Sequence, residues 1–120
     1  MGENSIPSVD ALIVSALSDI APVWNAVKEE NENKTVEETY FVFNYSTYGA
    51  DYADDDPNEE LHLIQVHLFA PLASNISGII KQAKKALHDA GFLWPETINA
   101  SDNTGRHIVL ETEYAIGADL

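Results

Sequence analysis

An α+β fold is the class that this sequence predicts: a mostly antiparallel sheet of four to five strands with two flanking amphipathic helices, in the order α-β-β-β-α-β-β. Three observations lead there. Apolar residues recur at the helical period in two separate segments, Val9 to Ile20 and Ile76 to Ala90. Three longer runs, Thr39 to Tyr48, Glu59 to Phe69 and Arg106 to Ile116, are rich in β-branched and aromatic residues and alternate at period two. Strand runs also follow one another with no helix between them, which favours antiparallel pairing with helices packed on the sheet.

Met1 to Pro7 reads as a loose terminus. Val9, Leu12, Ile13, Ala16, Leu17 and Ile20 then mark a helix from Val9 to Asp19 or Ile20, with Ser8 as its N-cap and Asp10 well placed in the first turn. Pro22 prevents it from running further. Val23 to Val27 reads as a short strand in which Trp24 is a core or interface anchor, and the polar, acidic Lys28 to Glu38 as a flexible loop or hairpin tip. In Thr39 to Tyr48, Phe41, Phe43 and Tyr45 share one face, and Tyr40, Val42 and Asn44 the other.

Gly49 to Asn58 is an acidic loop. In the strand after it, Ile64, Val66 and Leu68 oppose Leu63, Gln65, His67 and Phe69. Both faces are partly apolar, as suits a central strand covered on both sides. Pro71 ends it, and Ser74 or Asn75 can accept a free N–H of the next helix. Ile76, Ile79, Ile80, Ala83, Ala86, Leu87 and Ala90 form the apolar face of that helix, and Gly91 closes it. Lys81, Lys84, Lys85 and His88 gather opposite. Phe92 to Ile98 offers a short strand interrupted by Pro95, and Asn99 to Gly105 is a loop. In the last strand, Ile108, Leu110, Thr112, Tyr114 and Ile116 face one side. His107, Val109, Glu111, Glu113 and Ala115 face a partly wet one.

One domain over residues 1–120, with loose ends at 1–7 and 118–120, fits this length and a 45% hydrophobic content. No cysteine is present, so there is no disulfide framework and no thiolate nucleophile or ligand. No basic segment with an apolar run opens the chain, and no apolar run reaches about 18 residues, so a soluble protein without signal peptide or membrane span is expected. Twenty acids against six Lys and Arg give a formal net charge of −14. Nucleic-acid phosphates and anionic membranes would repel such a chain, so neither is an expected partner. Half of the cations, Lys81, Lys84 and Lys85, nevertheless share one helix face. That face is either simply solvated or a surface that meets acids on another copy or a partner.

Catalytic chemistry finds little support. Asp51, Asp54, Asp55, Asp56, Glu59 and Glu60 cluster, but without the alternating ligand spacing and glycine of an EF-hand loop, so a solvated loop is the expectation. His62 and His67 lie five apart in one strand, on opposite faces, and cannot chelate one ion together; His107 could approach one of them. Neither HExxH, nor a GxSxG elbow, nor a glycine-rich phosphate loop occurs. The expectation is a non-enzyme with no cofactor, no catalytic residue and no metal ligand.

The ordered features resemble a known family. An N-terminal amphipathic helix leads to Val23 and Trp24, then to the tyrosine-rich strand Tyr40-Phe-Val-Phe-Asn-Tyr45 and an acidic loop. A strand reading HLIQVHLFAP precedes a helix that ends in Ala90-Gly91-Phe92, and a final strand reads HIVLETEYAI. Over residues 8 to 117 this resembles the tail-terminator and tail-completion proteins (minor tail components) of long-tailed bacteriophages and prophages. The resemblance implies a ring, commonly a hexamer, that caps the tail tube, contacts tail tube and head–tail connector proteins, and resides in the virion tail after assembly in the host cytoplasm. It carries over no catalytic or interface residue. Independently of it, the basic face (Lys81, Lys84, Lys85) and the acidic loop (Asp54, Asp55, Asp56) could be the two complementary patches of a ring, and a negative protein would keep DNA from sticking in a conduit. A head–tail connector of similar layout, or an acidic α+β regulatory module such as a DNA-mimic inhibitor, are the alternatives.

Overall fold

A computed structural model describes residues 8–25, 35–49 and 59–117, with side chains over 8–25, 35–46 and 62–114. Seven elements follow one another: α1 (Val9–Leu17), β1 (Val23–Asn25), β2 (Tyr40–Gly49), β3 (Glu59–Ala70), α2 (Ser77–Asp89), β4 (Glu96–Asn99) and β5 (Arg106–Gly117). The strands form one sheet in the order β1-β2-β3-β5-β4. Only β1 and β2 pair in parallel; the other three pairings are antiparallel. The α+β class and element order are those expected.

Local chemistry sets the helix ends. Ser8 Oγ accepts the Ala11 N–H at 3.1 Å and starts α1. Its regular part stops at Leu17, short of the expected Asp19 or Ile20, because the Ile20 and Ala21 N–H groups both turn back to the Leu17 carbonyl ahead of Pro22. At the start of α2, Asn75 Oδ1 accepts from the Ser77 N–H at 3.2 Å and from its hydroxyl at 2.9 Å. At its end Gly91 adopts φ 109°. The Gly91 N–H reaches the His88 carbonyl at 3.0 Å, and the Phe92 N–H reaches Leu87 at 3.1 Å. This reversal satisfies the terminal carbonyls and drops Phe92 into the core at 1% exposure.

Sheet register assembles that core. Phe43 lies opposite Val66, which lies opposite Leu110; Phe41, Leu68 and Ile108 form the adjacent row. Ile13 and Leu17 of α1, with Ala83 and Leu87 of α2, close over them. Each such large apolar side chain contributes about 1.5–3 kcal/mol on burial. Asp10 adds a polar tie: its carboxylate accepts from Asn25 Nδ2 at 2.8 Å and from the Tyr45 hydroxyl, joining α1 to β1 and β2. That bond to Asp10 raises the Tyr45 pKa, because it favours the neutral phenol.

Three expectations need correction. Strand β3 is central, as read, but among the described residues it is covered by helices on one side alone. Helices α1 and α2 contact each other and share one core on the same sheet face, and among the described residues no helix lies on the other. The apolar residues that β3 places there, Leu63 and Phe69, are half-buried, while Val42 and Val109 of its neighbours are buried on the same face. Trp24 is not a core residue: it projects to this open face, beside Val42, and is 48% exposed. The strand after Phe92 begins only at Glu96, past Pro95, whose missing N–H and restricted predecessor delay pairing.

Candidate functional site

Two surfaces on opposite layers carry the chemistry left over from folding. The first is the lysine side of α2. Lys81 and Lys85 are exposed, and Lys85 Nζ lies 2.7 Å from Asp89 Oδ2 one turn on. Both partners are well solvated, so that pair adds little stability. Lys84 behaves differently. It is half-buried, donates to Thr97 Oγ1 of β4 at 2.8 Å, and lies 6.0 Å from the centre of the Trp94 ring. The three lysines therefore do not form one free patch: Lys81 and Lys85 face solvent, while Lys84 helps to pin α2 over the β4 edge. Helical spacing alone could not reveal this, since it depends on where β4 lands. Asp54, Asp55 and Asp56 lie outside the described residues.

The second surface is the open face of the sheet. One half is aromatic. Tyr40 of β2, Phe69 of β3 and His107 of β5 stand in one register row. Phe69 stacks on His107 at 4.4 Å between ring centres and on Tyr40 at 5.2 Å. The next row runs Trp24, Val42, His67, Val109 and Ile98 across all five strands. His67 Nδ1 lies 2.8 Å from His107 Nε2, so one imidazole donates and the other accepts. Burial, and then the neighbouring His107, hold the His67 pKa below its ordinary value. His107 thus approaches one of the β3 histidines, as the sequence predicts, and His62 points the opposite way, as its five-residue spacing from His67 requires. His62 is buried on the helix side, edge-on to Tyr45. Among the described residues, no group of three or more His, Cys, Asp or Glu is arranged to hold a metal ion.

The other half of this face is polar and anionic. Asn44, Gln65, Glu111 and Glu96 form its first row across β2, β3, β5 and β4. Gln65 Nε2 donates to Glu111 Oε2 at 3.0 Å. Glu113 lies two residues further along β5 on the same side. These residues line a groove of about 580 Å³ whose rim is formed by Leu93 and Trp94, 59% and 53% exposed. The rim is fixed by backbone contacts to β5. Leu93 N–H donates to the Glu113 carbonyl at 3.1 Å, and the Thr112 hydroxyl donates to the Leu93 carbonyl at 2.5 Å.

The wet side of β5 is legible in the sequence, but this surface is not, because its composition depends on strand register. Glu96 and Glu111 are fifteen residues apart and become neighbours only through the β4–β5 pairing. An apolar patch bordered by charged groups is suited to protein contact. Compared with protein-family models and with curated proteins, the chain matches none.

Proposed function

We propose that this chain is a structural protein of a long-tailed phage or prophage, a tail terminator or tail-completion protein that acts through ring assembly and not through catalysis. In this reading it caps the tail tube, joins the tail to the head, and contacts itself, the tube protein and the head–tail connector. It acts in the virion tail after assembly in the host cytoplasm. One observation carries the proposal beyond the sequence resemblance. Two chemically different surfaces, a basic helix ridge and an aromatic–anionic sheet face, lie on opposite layers of one small domain. Heterologous rings need two unlike patches on each subunit.

The direct test adds the purified chain to polymerising tail tube protein and examines the product by negative-stain electron microscopy. Rings at tube ends and arrested tube growth are expected. Tubes that grow unchanged, with bare ends, refute the proposal. The formal net charge of −14 favours one second reading, an acidic module that occupies a basic protein's anion site. That reading predicts a stoichiometric complex with a basic enzyme and no rings.

A further inference from the structure

We infer that the anionic groove of the open sheet face is the docking site for the Lys81–Lys85 ridge of a second copy of this chain. The inference rests on the ring-assembly reading and assigns the two surfaces that would meet. Glu96 and Glu111 are direct cross-strand partners with side chains on the same face, and Glu113 follows on that face. Like charges opposed in this way destabilise a sheet. Within the described residues the open face presents no Lys or Arg: three of the described cations belong to α2 on the other layer. The fourth, Arg106, points to the helix side and donates through Nε to the Leu72 carbonyl at 3.0 Å.

Among the described residues, then, no cation of the same subunit reaches these carboxylates, and a second copy of the chain brings an exposed pair. Lys81 and Lys85 stand exposed one turn apart on α2. The half-buried Lys84, bonded to Thr97, braces the helix that presents them. The groove suits lysine in a second respect. Its rim carries the exposed apolar surface of Leu93 and Trp94, against which an alkyl stem can lie while the ammonium reaches the carboxylates. Repulsion between copies that each carry −14 acts broadly, so association needs a local reversal of sign, and the ridge provides it. Because ridge and groove lie on opposite layers, the contact is head-to-tail. Such contacts repeat, and they close into a ring when the rotation per subunit divides a full turn.

Charge exchange tests this on the full chain. Two double variants are needed, Lys81→Glu with Lys85→Glu, and Glu111→Lys with Glu113→Lys. Sedimentation velocity over a concentration series should show wild-type self-association, weakened about tenfold or more in each variant alone. An equimolar mixture of the two variants should recover it, because each reversed ridge then meets a reversed groove. Circular dichroism checks folding, and Glu111→Gln with Glu113→Gln replaces the lysine pair if that pair unfolds. A wild type that stays monomeric, variants that associate like wild type, or a mixture that recovers nothing would each overturn the inference. If tube ends are capped while both variants associate normally, this contact is wrong and the capping reading stands. If the charge exchange works but tube ends stay bare, the reverse holds.

Discussion

Replacing Gly91 by Ala probes the turn that joins α2 to the rest of the domain. Gly91 sits at φ 109°, where a side chain costs about 1–2 kcal/mol. An added Cβ would lie 3.1 Å from Tyr114 Cε1, closer than ordinary contact. Tyr114 cannot retreat freely, because its ring packs against buried Phe92 at 4.8 Å. Ala also restricts the unfolded chain, which offsets about 0.4–1 kcal/mol. The net loss is about 1 kcal/mol, a fall of about 3–5 °C in Tm for a domain of this size. Thermal and urea unfolding followed by circular dichroism measure it. Gly91→Asn should lose less, since Asn tolerates positive φ better. A Gly91→Ala variant that melts at or above the wild type would show that the turn does not need a residue at positive φ.

Thr112→Val keeps the shape of a 7%-exposed side chain but leaves the Leu93 carbonyl without its 2.5 Å donor. About 1 kcal/mol of stability should go, readable as a lower urea midpoint; an unchanged midpoint would show that the bond adds nothing. His67 has a depressed pKa in the fold, so the folded state binds fewer protons there than the unfolded chain. Its contribution is complete above about pH 6.5 and is lost as pH falls from there through the folded value. His67→Gln should therefore flatten the decline in stability across that window, and parallel wild-type and variant curves would contradict the assignment.

Much of the fold was legible because local and periodic signals agreed. Ser8, Pro71 and Gly91 mark chain reversals through their own backbone chemistry, and the alternation in β3 and β5 separates their two faces correctly. What escaped reading depended on partners distant in sequence. Leu63 and Phe69 look like core residues beside Leu68, yet no residue pattern states that both helices choose one side of the sheet. Lys84 reads like Lys81 and Lys85 until Thr97 is placed beneath it. The groove was hidden for the same reason, since Glu96 and Glu111 share a row only once β4 has found its register.

The place of β5 in the sheet order has a consequence for synthesis. Strand β5 is the last of these elements to leave the ribosome, yet it lies between β3 and β4. Until it arrives, β4 has no neighbour, and β3 presents twelve residues of open edge. Nascent chains that have exposed everything up to Asn99 thus carry a long unpaired rim next to an uncovered apolar face. Closure of the centre is a late, long-range event, and pausing or truncation ahead of Arg106 should yield insoluble product instead of a partly folded domain.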